Sequence, residues 1–275
     1  MQKKYYKNHR IQKKWSQVFL KDPHIIHSII NILNPKKHQI IIEIGPGLGA
    51  LTKPILNITN FLTLIERDPH LTKRLIKMFS NKRFKIINQD VMNINFFTLT
   101  NQTQQKIRLI GNLPYNIATK LIIHLFKYIN IIQDMHFMIQ KEVGQRIIAR
   151  PNNKKYGRLS IITQYYCKVF PILEISKNAF IPIPNVESMI IKFIPHHNQN
   201  PYPFVDVKIL SLITKLAFHK RRKTIQNNLS QYFNKSEIIQ TGIDLTARAE
   251  NLSIYQFCAL AIILNNKYST NNIDL

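Results

Sequence analysis

Apolar runs and helical stripes alternate along this chain in a regular order. Asp22-Pro23 reads as an N-cap followed by a first-turn proline; Ile25, Ile26, Ile29, Ile30 and Leu33 then share one helical face until Pro35 stops the helix. Short apolar runs predict strands over 40–44, 61–65, 84–88, 107–111 and 135–139. Between them, apolar positions at helical spacing predict helices over 50–56, 69–79, 117–128 and 141–149. Strands that alternate with helices at this pitch imply an α/β fold, a parallel sheet covered on both faces.

The pattern changes after Arg150. A polar loop over 152–157 precedes a helix over 159–166, a strand over 168–175, the extended run Ile181-Pro182-Ile183-Pro184 and a further strand over 186–194. Residues 195–203, rich in His, Asn, Gln and Pro, read as a linker. From Phe204 onward the pattern is helical, with periodic stretches over 207–218, 225–233 and 254–264. The expected organisation is therefore a mobile basic arm over 1–14, an α/β domain over 15–195 and a small helical domain over 204–275. The run His219-Lys220-Arg221-Arg222-Lys223 is expected to open the helix that continues through Ile225 and Leu229.

Composition narrows the class. Of the 275 residues, 45% are hydrophobic, enough for a real core, and Lys plus Arg exceed Asp plus Glu by 39 to 14, a formal net charge of +25. That charge favours a polyanion such as nucleic acid. Richness in Ile, Asn and Lys is also what an AT-rich genome produces, so the charge supports such a partner without proving it. Cys167 and Cys258 are far apart and lack metal-ligand spacing, and the scattered His residues show none either; no metal site is expected. No apolar run approaches the roughly 20 residues of a membrane span, and no apolar segment follows the basic N-terminus, so a cytoplasmic protein without membrane contact is the expectation.

Candidate chemistry clusters at strand ends. Glu43-Ile44-Gly45-Pro46-Gly47-Leu48-Gly49 is a strand entering a glycine-rich turn, where bare backbone lets a ligand approach. Glu66 ends the next strand, placed to bind two ribose hydroxyls, and Asp90 follows the third, placed for an adenine amine. A nicotinamide-binding unit shares the first two features, since Gly45-x-Gly47-x-x-Ala50 also fits the dinucleotide fingerprint. Asn112-Leu113-Pro114-Tyr115 ends the fourth strand with an amide acceptor, a proline that aims carbonyls and a ring for stacking, a set suited to a flat base with an exocyclic amine. Taken alone, Asn-x-Pro also marks an ordinary strand-to-helix turn. Phe180, before a proline-rich turn, is the candidate for the second face of the base. Core packing is the competing reading for both Tyr115 and Phe180.

In this order, Glu43-Ile44-Gly45-Pro46-Gly47, Glu66, Asp90 and Asn112-Leu113-Pro114-Tyr115 resemble successive motifs of S-adenosylmethionine-dependent N6-adenine methyltransferases of rRNA. The resemblance is to the bacterial small-subunit rRNA adenine dimethyltransferases over almost the whole chain. It extends to Gln17-Val18-Phe19-Leu20, Met138 to Val143, Tyr156 to Ser160, Phe180-x-Pro182-x-Pro184-x-Val186-x-Ser188, Arg221 to Thr224 and Arg248 to Leu252. It implies a Rossmann-like class I methyltransferase sheet, mostly parallel, with a small C-terminal helical domain. It also implies S-adenosyl-L-methionine as cofactor, with Gln17 and Leu20 closing over its methionine end, Gly45 beneath it, Glu66 on the ribose, Asp90 on the adenine and Asn112 at the junction with the substrate. Catalysis would fall to Asn112, Leu113, Pro114, Tyr115 and Phe180. The implied partner is 16S rRNA within the immature small ribosomal subunit, engaged by a monomer through Arg146, Arg221, Arg222 and Lys223, with Arg150, Lys154, Lys155 and Arg158 in a second basic cluster. The resemblance departs at Val18, where the family usually has asparagine, so one side-chain hydrogen bond near the cofactor is lost or replaced by water. Arg248 and Glu250 read equally well as a structural ion pair. A ribosome-assembly factor and a large-subunit resistance methyltransferase are the competing functions.

Overall fold

The computed structural model describes residues 5–12, 15, 17–100 and 105–271. In chain order the strands and helices are β1 (Tyr5–Tyr6), β2 (His9–Arg10), β3 (Phe19–Leu20), α1 (Pro23–Leu33), β4 (Ile40–Ile44), α2 (Thr52–Leu56), β5 (Leu62–Glu66), α3 (Pro69–Met78), β6 (Phe84–Asn88), β7 (Ile107–Asn112), α4 (Ala118–Leu125), β8 (Ile132–Gln140) and α5 (Lys141–Ile148). They continue with α6 (Arg158–Tyr166), β9 (Cys167–Ile175), β10 (Phe180–Ile181), β11 (Ser188–Pro195), α7 (Val207–Ala217), α8 (Ile225–Leu229), α9 (Lys235–Ile239) and α10 (Ile254–Asn271).

Seven strands form one sheet in the order β6-β5-β4-β7-β8-β11-β9. Strands β6, β5, β4, β7 and β8 run parallel, and β11 returns antiparallel to β8. The order reverses between β4 and β7, so the space beyond their carboxyl ends is the switch point where open α/β sheets hold ligands. The central strands read as Ile runs because both faces are covered: Ile41, Ile42 and Ile44 of β4 and Leu109 and Ile110 of β7 are all buried. Helix starts are written in local chemistry. Asp22 accepts from the N–H groups of His24 and Ile25, and Asp68 accepts from that of His70, each just before a first-turn proline.

β8 begins three residues before the apolar run that predicts it. Asp134 hides the start of the strand in the sequence, yet it is buried because Arg108 donates to both its carboxylate oxygens at 2.9 Å. The 117–128 helix ends at Leu125 and continues as 3-10 turns over Phe126–Ile131.

The chain divides into two compact units, one of residues 1–144 with 170–195 and the other of 145–169 with 196–275. The division differs from the expected single boundary near 195, because 145–169 groups with the C-terminal unit. There α6, with Leu159, Ile161 and Ile162 buried, joins α7 and α10 in a helical core. The arm expected to be mobile forms, over 5–10, an antiparallel hairpin of β1 and β2; 1–4 and 13–14 lie outside the described residues. The basic run 219–223 is an exposed turn, not the first turn of a helix, because Thr224 caps α8 by accepting from the Asn227 N–H. No helix among the described residues is long and apolar enough to cross a membrane.

Candidate active site

At the switch point lies a cavity of about 1200 Å³ including its open mouth. Its lining contains Gln17, Leu20, Gly45, Glu66, Asp90 and the whole of Asn112-Leu113-Pro114-Tyr115. The turn after β4 is left-handed at Gly45, Gly47 and Gly49, with φ of 67°, 57° and 80°. A side chain at Gly47 would also meet the Phe19 ring at 3.1 Å, so glycine is required there on two counts.

Two carboxyl groups face this turn from the buried strand ends. Glu66 accepts from the Gly47 N–H at 3.2 Å and the Asp68 N–H at 2.8 Å, which fixes the turn against β5. Glu43 accepts from the Thr52 hydroxyl at 2.7 Å. Burial is the main reason both stand above the usual carboxylate range, Glu43 at about 7. Among the described residues neither forms an ion pair, so the cavity sets two buried carboxyl groups without a cationic partner before its contents. That set of acceptors fits a ligand with a cationic end and a sugar diol that donates to it. Asp90, at the third strand end, accepts from the Met92 N–H at 3.0 Å and pairs with Arg67 at 3.0 Å.

The tetrapeptide after β7 is held from several sides. The Leu113 N–H donates to the Met138 carbonyl at 3.1 Å, and the Pro114 carbonyl accepts from Ile117 and Ala118, opening α4. The Asn112 Nδ2 donates to the Val18 carbonyl at 2.9 Å. A carbonyl can only accept, so the amide must turn its nitrogen to Val18 and keep Oδ1 available as an acceptor. The segment around Val18 thus contributes its backbone. Tyr115 lines the cavity with its hydroxyl 2.8 Å from that of Ser188, and burial raises the Tyr115 pKa.

The expectation for Phe180 needs correction. Phe180 does not face the cavity: it is 0% exposed, pairs with Leu20 in the β3–β10 ladder and packs into the core. Packing that apolar ring against neighbouring Ile and Leu side chains outweighs presenting it to solvent. The Gln17 amide is already engaged, donating to Asp68 at 2.8 Å and accepting from Gln12 and His9. It braces the hairpin against α3 while its chain lines the cavity.

The basic residues lie in the C-terminal unit, where Arg146, Arg221, Arg222 and Lys223 are exposed. Arg221 donates to the Lys154 carbonyl at 2.6 Å and to Glu250 at 3.1 Å. The ion pair expected between Arg248 and Glu250 is therefore made by Arg221 instead. Sequence reasoning missed three contributors, the Val18 backbone, Asp68 and Ser188. Val18 and Ser188 left a trace, each inside a motif of the family resemblance, whereas Asp68 left none.

The model of the ribosomal RNA adenine dimethylase family matches residues 8–266. A ribosomal RNA small subunit methyltransferase A of Blochmanniella floridana is 67% identical over 98% of this chain and 100% of its own length. Its namesake from Salmonella typhimurium is 46% identical over 96% of this chain and 97% of its own. Among solved structures, a dimethyladenosine transferase from Plasmodium falciparum superposes with a TM-score of 0.75 at 24% identity, covering 90% of this chain and 98% of that one. The 23S rRNA methyltransferase ErmE gives 0.67 at 20% identity, covering 90% and 99%. These two likenesses establish the fold, a Rossmann-like class I methyltransferase sheet. With the match running through the strand-end carboxyls and the Asn112 tetrapeptide alike, the chain belongs to the ribosomal RNA adenine dimethylase family.

Proposed function

We propose that this chain uses S-adenosyl-L-methionine to dimethylate N6 of two adjacent adenosines in the 3′-terminal hairpin of 16S rRNA, acting as a cytoplasmic monomer on the immature small subunit. The orientation of the Asn112 amide carries the reading, because the Val18 carbonyl at 2.9 Å commits the amide oxygen to accepting. The cofactor supplies an electrophilic methyl on a sulfonium, and the two buried carboxyls, Glu43 and Glu66, suit its cationic and ribose portions.

An adenine amine is a weak nucleophile because its lone pair is delocalised into the ring. Acceptance of its two hydrogens by Asn112 Oδ1 and the Leu113 carbonyl favours a pyramidal nitrogen with the lone pair free. Most of the acceleration then comes from alignment and from acceptors placed where positive charge develops. The base must leave its helix to reach this cavity, and Tyr115 supplies a stacking face for it. The exposed cations Arg146, Arg222 and Lys223 suit phosphate contacts that position the subunit without reading its sequence. The family's role in subunit biogenesis enters with the same substrate. The decisive experiment incubates the protein with under-methylated small subunits and labelled cofactor, then maps the modified bases. Two adjacent dimethyladenosines are expected; label elsewhere, or none, refutes the reading.

A further inference from the structure

Ser188 opens β11, is 0% exposed and lies opposite Gln140 in the antiparallel ladder with β8. Its neighbour Glu187 is tied to Lys141 twice: the Lys141 N–H donates to the Glu187 carbonyl at 2.9 Å, and Lys141 Nζ meets the Glu187 carboxylate at 2.8 Å. The Ser188 backbone is thus fixed by the sheet on one side and an ion-paired turn on the other. Its hydroxyl points at Tyr115, 2.8 Å from the phenol oxygen. Tyr115 rides on a short connection after Pro114, where a ring held only at its Cα would swing about χ1 and χ2. Burial keeps its hydroxyl protonated, so one hydrogen bond between two neutral groups is always available.

We infer that Ser188 is a positioning residue for methyl transfer, its buried hydroxyl holding the Tyr115 ring in the plane on which the target adenine stacks. The inference rests on the proposed function, since it presumes that Tyr115 receives the base. Ser188 touches neither cofactor nor substrate in this role and acts through the phenol. The loss should appear in the chemical step and spare ground-state binding.

The test compares single-turnover methyl transfer to under-methylated small subunits by wild type, Ser188→Ala, Tyr115→Phe and the double variant. Calorimetric affinity for S-adenosylmethionine and KM for the subunit are measured alongside. Each single variant is expected to slow the step by about tenfold with affinity and KM within about twofold, and the double variant to be no slower than the slower single. A wild-type rate for Ser188→Ala, or losses that multiply in the double variant, overturns the inference. Should Ser188→Ala fail to fold, Tyr115→Phe removes the same bond while keeping the ring, and a wild-type rate for it is equally fatal. Wild type that transfers no methyl sinks the proposed function itself; active wild type with an indifferent Ser188→Ala sinks only the role of Ser188.

Discussion

Replacing Asn112 by alanine removes two interactions of unequal weight. The larger is the acceptor for the adenine amine. One preorganised group that meets charge in the transition state is worth ~3–4 kcal/mol, or 10²–10³ in rate. The smaller is the 2.9 Å bond from Nδ2 to the Val18 carbonyl, a neutral contact of about 1 kcal/mol that holds the segment over the cavity. Asn112→Ala should therefore slow single-turnover transfer by about two to three orders of magnitude, while cofactor affinity falls by no more than about tenfold. Asn112→Asp separates the contributions. It keeps an acceptor but sets a carboxylate oxygen against the Val18 carbonyl, so the segment is pushed off and cofactor binding suffers more than in the alanine variant. The assay is a rapid-quench time course with saturating labelled cofactor, with calorimetry run in parallel. A rate for Asn112→Ala within about threefold of wild type would refute amine activation by this amide.

Three further outcomes are expected. Burial depresses the folded-state pKa of His136 from 6.5 to about 4, so the unfolded chain takes up the proton first and stability falls as pH drops from about 6.5 toward 4. Between pH 7 and pH 5 the wild type should lose ~2 kcal/mol more than His136→Leu in urea titrations, and equal losses would exclude the effect. A methyl group at Gly111 would lie 2.5 Å from the Ile44 carbonyl oxygen, so Gly111→Ala should cost ~1–3 kcal/mol of stability and lower the thermal midpoint, an unchanged midpoint being the adverse result. Joint replacement of Arg222 and Lys223 by alanine should reduce the salt slope of RNA binding by about 1–2, whereas Arg221→Ala, whose guanidinium already meets Glu250, should change it less; equal slopes for all three proteins would remove the turn from the interface.

The sheet was legible in the sequence because its central strands are covered on both faces, which makes Ile40–Ile44 apolar except for Glu43 and gives Ile107–Asn112 an apolar centre, each run ending near glycine and proline. Four of the cavity-lining positions were legible for a related reason: strand ends come together in any parallel sheet, so Gly45, Glu66, Asp90 and Asn112 could be grouped before any contact was known. What periodicity could not convey was partnership. The buried Arg108–Asp134 pair looks like the polar end of a strand. The helix Arg158–Tyr166 gives no sign of which unit it packs in. Phe180 looks like a presented ring until the β3–β10 pairing places it in the core. His219 to Lys223 resembles a helix start because the Thr224 cap is one residue long and easily overlooked.

The adjacency of β4 and β7 has a mechanical meaning. Ile44 and Gly111 are partners across that ladder, and the Cβ that Gly45 lacks would sit only 3.6 Å from the Asn112 carbonyl. The reach from the cofactor's half of the cavity to the acceptor's half is thus gauged by the spacing of two hydrogen-bonded strands, roughly 4.8 Å in any sheet. Side chains around the rim can drift with the base composition of a genome without altering that ruler. Only a slip of strand register would change it, and such a slip would turn the core inside out before it detuned the reaction.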